Sequence, residues 1–479
     1  MPPRVRLFVA LFPFLLSSLS CRTLLEAGKA SPTSTSLLSA ARLLANTATF
    51  TVVTPTFAST TLAPSPTRVP TLTLSPTPSP TLTPSITTTS TYTNVIDSSV
   101  ALQMQVFEEL WKIVDENYLY PDFNGLDWNA IHQEYRQRIE AGVNNQDFYL
   151  AMKEMVYRLG DDHSSFLSPQ EVLEQDALST GEFDYAGIGV MVSVVPERNV
   201  ATILLVFPSS PAEQAGLRPH DSIITIDGQP IVDERGNLRR DLLRGPEGTT
   251  ILVTVNSPGQ PSRQVSVTRQ RIDSPLLLPH QVFDTPSGKR IGYIFLPTFN
   301  DQRLSDQVSV ALLEMSASSP LEGVILDNRQ NGGGSSQVLL DALAYFTNGP
   351  VGSLVQRQKE QPLAVTGKDI AGSQRIPLLV MIGKGTLSFG EVFAGILKDI
   401  GRADLIGEQT TGNVEVLTAY NLPDGSRALI ANMTFRPYNH PGQDWEKTGI
   451  SPDLVAPSDW DQVTLENDPA IQAALEYFD

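Results

Sequence analysis

Residues 377–395 constrain the fold more than any other part of the chain. An apolar run, Pro377 to Ile382, enters a glycine-rich turn, Gly383-Lys384-Gly385-Thr386-Leu387-Ser388. A helix-patterned segment, Phe389-Gly390-Glu391-Val392-Phe393-Ala394-Gly395, leaves it. Strand, tight turn and helix place one hydroxyl, that of Ser388, beside the unpaired N–H groups of a helix start. A nucleophilic serine needs this placement, because the charge that develops on an attacked carbonyl must meet donors already in position. A second glycine turn, Asp327-Asn328-Arg329-Gln330-Asn331-Gly332-Gly333-Gly334, supplies more donors. The N–H groups of Phe389 and of one residue in the Gly332–Gly334 turn, Gly333 first, are the expected oxyanion pair. The chain reads as a serine hydrolase, and the open matter is what activates the serine.

The remaining composition narrows the function classes. The 479 residues suffice for two to three domains. A formal net charge of −18, spread along the chain, excludes the clustered Lys and Arg that nucleic-acid phosphates require. A single cysteine rules out an intrachain disulfide framework and a cysteine-based zinc site. The five histidines show no HExxH-type spacing, so neither a catalytic metal nor another cofactor is expected.

Residues 1–20 have the features of an export signal. Arg4 and Arg6 precede a ten-residue apolar core, Leu7 to Leu16, which is too short for a permanent membrane span. Cys21 follows in Ser18-Leu19-Ser20-Cys21, which resembles a bacterial lipobox. The resemblance implies lipidation of Cys21 and an extracytoplasmic, membrane-anchored protein. Residues 21–95 are rich in Thr, Ser and Pro, and Arg68 carries the only charge between Thr61 and Ser90. Such a segment buries too little apolar surface to offset its ordering entropy, and its prolines favour extended spacers. A stalk is expected.

Three segments follow. Residues 96–180 read as helical: Val106, Phe107, Leu110, Trp111, Val114 and Tyr118 form one apolar stripe, and Tyr149, Met152, Met155, Val156 and Leu159 another. Gly160 ends the second, and Asp161-Asp162-His163-Ser164-Ser165 turns after it. Residues 181–273 change to strand periodicity around Ser210-Pro211-Ala212, Ala215-Gly216-Leu217 and a tight Asp227-Gly228 turn. This resembles a PDZ domain, with His220 standing where such domains usually carry glycine. PDZ domains capture C-terminal peptides by strand addition, with backbone N–H groups holding the carboxylate. Gly187-Ile188-Gly189 is the expected carboxylate loop. Residues 274–479 alternate strands and helices, which argues for an α/β layered core.

In this order the three segments resemble the C-terminal processing peptidases, tail-specific serine peptidases, with tricorn protease as a more distant relative. Ser388-Phe389-Gly390-Glu391, Gly407-Glu408-Gln409-Thr410-Thr411-Gly412 and Gly449-Ile450-Ser451-Pro452-Asp453 carry much of the resemblance. It implies a ClpP/crotonase-like catalytic core, an N-terminal helical domain and an inserted PDZ domain. It also implies hydrolysis of peptide bonds near the free C-termini of protein substrates.

One departure matters. The family places a lysine base after the nucleophile in a Thr-Phe-Gly-Lys-Gly context. Here Asn413 holds that place, 25 residues after Ser388, and cannot take the serine proton. His163, in a Gly-Asp-Asp-His-Ser turn that resembles the tricorn-like branch, is the expected replacement. Its unperturbed pKa near 6.5 suits a base at neutral pH. Glu415, Asp162 and Ser164 are the candidate orienting groups, with Glu415 preferred for its position just past Asn413. The competing reading is a pseudoenzyme, a stalked PDZ module that binds protein tails without cutting them.

Overall fold

The computed structural model describes residues 100–479 apart from 162, 180–185, 235 and 273–276. The export signal, Cys21, the Thr/Ser/Pro segment and Asp162 therefore lie outside the described residues.

The N-terminal helices form where the apolar stripes recur. Helices Val100–Asn117, Trp128–Glu140 and Asn145–Tyr157 meet along Val106, Phe107, Leu110, Ile131, Tyr135, Phe148 and Met152, all buried. Asp127 and Asn144 cap the second and third by accepting backbone N–H bonds from Ala130 and Asp147. The segment is not a separate body. Strand Ser165–Leu167 pairs antiparallel with Arg427–Pro437, and Phe166 buries beside Ala428 and Ile430 of that long strand. The turn that carries His163 is thereby attached to the catalytic part of the chain two residues before this pairing begins.

Residues 186–271 form the expected antiparallel domain. Its main sheet runs in the order 190–195, 200–206, 222–226, 250–256 and 263–268. Ile203, Ile223, Ile226, Val253 and Val255 fill its core. Among the described residues, strand Val190–Val195 pairs only with Val200–Val206. Its other edge faces a cleft lined by Ile188, Gly189, Met191, Leu238, Arg240 and Leu243.

The catalytic part is an α/β layered fold around one mixed sheet. Strands Arg290–Phe295, Gly323–Asp327, Leu378–Ile382, Asp404–Gly407 and Leu454–Val455 run parallel, and His280–Asp284 adds an antiparallel edge. The strand–helix alternation read from sequence is present: helices Leu304–Ser316, Ser336–Leu343 and Phe389–Asp399 follow the first three of these strands. Side chains alternate between two cores, as a pleated strand dictates. Val324, Leu326, Val380 and Ile382 face those helices. Ile325, Leu379 and Met381 face the C-terminal helix Pro469–Phe478, joined by Leu204 and Leu205 of the 186–271 domain. Strands burying both faces explain the continuous Val/Ile/Leu runs. No helix among the described residues is long and apolar enough to cross a membrane.

Candidate active site

Ser388 stands at the N-cap position of helix Phe389–Asp399, yet its side chain makes no capping bond. Its backbone, at φ 54° and ψ −129°, occupies a region that non-glycine residues avoid. The strain is held by its neighbours. Leu387 N–H donates to Asn331 O at 2.9 Å, Thr386 Oγ1 donates to Asn328 O at 2.8 Å, and Asn328 Nδ2 donates to Gly390 O at 2.8 Å. Gly390 is required here, because a Cβ would lie 2.3 Å from Asn331 O. The two glycine turns singled out from the sequence are therefore strapped together, with the hydroxyl left free of a structural bond.

The oxyanion donors need one revision. Phe389 N–H opens the helix and has no hydrogen-bond partner among the described residues, as expected of a first helical residue. Gly333 lies against the nucleophile, its virtual Cβ 2.7 Å from the Ser388 Cβ. Its N–H, however, donates to the Asn331 side-chain oxygen at 2.9 Å. Gly332 N–H carries no such bond among the described residues, and a Cβ at Gly332 would meet nothing within 4 Å, so Gly332 replaces Gly333 as the second candidate donor.

His163 is partly buried, with its side chain 7% exposed, and its Nε2 lies 2.8 Å from Glu446 Oε1. Glu446 was not legible as a site residue: it is one of 52 acidic residues. The available signal was its place three residues before the Gly449–Asp453 stretch. Its position is built from both sides. Trp445 packs on the nucleophile helix, where a Cβ at Gly395 would come 2.6 Å from its ring. The other Glu446 oxygen accepts the Val414 and Glu415 N–H groups at 2.7 and 3.1 Å. Glu415 is 4% exposed and accepts a short bond from the Tyr120 hydroxyl, so it does not hold His163 as expected. It remains in the cluster, with donor atoms of His163, Glu415 and Glu446 within 4.8 Å of one another. Ser164 Oγ donates to Asp161 and accepts from Ala431 N–H, which leaves it committed elsewhere.

The loop 410–415 lies between this cluster and the nucleophile helix. Gly412 N–H donates to Glu391 Oε1 at 2.9 Å, three residues after Ser388, and Gly412 packs against Glu446 O. No hydrogen bond joins His163 to Ser388 in this structure. Neither lysine near Ser388 in sequence competes for the role. Lys384 is exposed and pairs with Glu408, while Lys398 pairs with Asp453 at 2.7 Å and donates to Ser451 O.

Electrostatics favours a charged pair. Burial pushes the His163 pKa down, but the Glu446 hydrogen bond and the charges of Glu446, Glu415 and Asp161 raise it above its ordinary value. Burial pushes Glu446 up, yet His163 and the Val414 and Glu415 N–H groups hold it below the usual carboxylate range. Glu415 is pushed up to about 7 by burial, with the Glu446 charge adding to the rise.

The chain is similar to known proteins. Residues 290–456 match the model of peptidase family S41, 187–267 a PDZ domain, and 101–157 the tricorn protease C1 domain. The carboxyl-terminal-processing protease of Synechocystis is 30% identical over 380 residues, which cover 78% of this chain and 86% of that one. This chain belongs to the carboxyl-terminal-processing proteases of peptidase family S41. It is a serine-type peptidase with a PDZ domain. The carboxy-terminal processing protease of Bacillus subtilis is 28% identical over 332 residues, 68% of this chain and 66% of its own length. Among solved structures, the photosystem II D1 C-terminal processing protease superposes with a TM-score of 0.55 at 27% identity, covering 75% of this chain and 93% of its own.

The Glu446 contact yields a signed expectation. Glu446→Gln removes the charge that raises His163, so the acid limb of kcat/KM moves to lower pH, and kcat falls. A pH–rate profile of this peptidase variant checks it; an unmoved limb would remove Glu446 from the pair.

Proposed function

We propose that this peptidase is exported, anchored through a lipid on Cys21, and cuts protein tails captured by its PDZ domain. Ser388 is the nucleophile, His163 the base and Glu446 the residue that positions His163. The observations that carry the assignment are the Ser388 hydroxyl at a strained helix start, with no capping bond, and the carboxylate-paired imidazole of His163. Serine hydroxyls need a base to attack at neutral pH, and Asn413 supplies none.

In this reading His163 takes the Ser388 proton as Oγ bonds to the scissile carbonyl carbon. The N–H groups of Phe389 and Gly332 hold the oxyanion. His163 then gives the proton to the leaving amine, the C–N bond breaks, and an acyl-enzyme remains. Water attacks the ester, again through His163, and releases the new C-terminus. Catalytic bonds often tighten only when substrate is bound, which suits an unliganded His163 resting on Glu446.

The cleft beside Val190–Val195 supports the capture role. Gly189 has φ +79°, and a Cβ there would come 2.4 Å from Ser210 Cβ, so the Gly187–Gly189 loop requires glycine at that position. Strand addition along the free edge presents a peptide to that loop.

Three measurements test the reading. His163→Ala lowers kcat by about 10²–10⁴, and Ser388→Ala with His163→Ala is little worse than Ser388→Ala alone; near-normal turnover in His163→Ala rejects the base. Amidating the C-terminus of a peptide ligand weakens its binding in a fluorescence titration, whereas equal affinity for both forms rejects carboxylate capture. Cys21→Ala releases the protein from the membrane fraction of expressing cells, and retention there rejects the lipid anchor.

A further inference from the structure

His220 presents an unexplained cost. Its backbone has φ +74°, where a glycine is cheap and a side chain is strained. The ring nevertheless is kept, and it is buried outside the PDZ core. It stacks on Trp460 of the catalytic part, with centroids 4.2 Å apart and planes 18° from parallel. His220 Nδ1 lies 2.8 Å from Trp460 O. A carbonyl only accepts, so Nδ1 carries the hydrogen. Arg198 holds the same segment from the other side, pairing with Asp459 at 3.2 Å and Asp461 at 2.6 Å.

Trp460 continues the path inward. Its ring stacks on Phe295 at 4.9 Å, and the Arg329 guanidinium carbon lies 5.4 Å from its centre. Arg329 is 4% exposed. It donates to both Asp327 oxygens at 2.9 and 2.6 Å and to Asp468 at 2.6 Å. Asp327, Asn328 and Arg329 begin the turn whose Asn331 O holds Leu387 and whose Gly333 lies against Ser388. Trp460 is thus the lid on a buried ionic anchor, and the PDZ domain holds the lid. Loosening it admits water to Arg329, where the pairing with Asp327 and Asp468 weakens and the turn loses its fixed start.

We propose that His220 and Trp460 are positioning residues for the oxyanion turn, so that the docked PDZ domain is a working part of the catalytic site. The proposal rests on the reading of Ser388 and the 331–334 turn given above. It assigns His220 and Trp460 an effect on turnover that is separate from tail capture.

The experiment uses the full chain and a peptide substrate too short to reach the PDZ cleft. His220→Gly relieves the backbone strain and removes the stack, so the melting temperature holds while kcat falls about 10- to 100-fold with KM unchanged. A peptide aldehyde, whose adduct with Ser388 places an oxyanion in the turn, loses affinity by the same factor. Trp460→Leu shows the same pattern, and Trp460→Phe, which retains an aromatic face over Arg329, recovers most of the loss. Wild-type kcat in His220→Gly, or a loss confined to KM, overturns the proposal while leaving the Ser388 reading intact. A fall in kcat with unchanged aldehyde affinity also overturns it, since the turn is then not what moved. A wild-type enzyme that neither cuts nor takes a serine-reactive fluorophosphonate removes the proposal and the Ser388 reading together.

Discussion

The close approach of two glycine turns is the constraint on which the site depends. Ser388 keeps a backbone conformation that would relax in isolation, and the Asn328–Gly334 turn prevents that relaxation through Leu387, Thr386 and Gly390. The strained residue costs on the order of 1–3 kcal/mol. What it secures is a hydroxyl with no structural bond, beside N–H groups with no structural acceptor. Both strands that feed these turns are buried in the centre of the parallel sheet, where position is defined by packing on two faces.

The base arrives by a different route. His163 belongs to the helical segment, whose strand Ser165–Leu167 is stitched to Arg427–Pro437. Its partner Glu446 comes from a short helix held by the packing of Trp445 on Phe435 and on the nucleophile helix. Ser388 and His163 are thus positioned by different elements, and the loop 410–415 bonds to Glu391 on one side and to Glu446 on the other. That loop has a supporting task, since its N–H groups hold Glu446 and Glu391.

Buried charge is handled differently at the two ends of the site. Around His163 two carboxylates lie beside one imidazole; Glu446 bonds to it, and burial pushes the other, Glu415, up to about 7. Around Arg329 two aspartates share one guanidinium that stays charged, covered by an aromatic lid. The first arrangement is titratable, as proton transfer requires. The second is not, as an anchor requires.

Local pattern determined much of this protein. Strand and helix runs bury their apolar faces where periodicity put them, and Ser388, Phe389 and the Asn331 turn meet because strand–turn–helix geometry leaves few alternatives. His163 was legible as a histidine in a turn after a helix, and Gly187–Gly189 as a turn beside an edge strand. The rest depended on contacts distant in sequence. Glu446 rather than Glu415 holds His163 because the Tyr120 hydroxyl takes the Glu415 carboxylate, while the Val414 and Glu415 N–H groups fix Glu446 beside the imidazole. Gly333 loses its donor role to an Asn331 oxygen two residues away, a choice of rotamer that no spacing reveals. His220 looked like a small departure from a glycine position, and only the fold brings Trp460, 240 residues later, beneath its ring. Periodicity reports which face of an element is buried, whereas the partner of a buried polar group is chosen by tertiary packing.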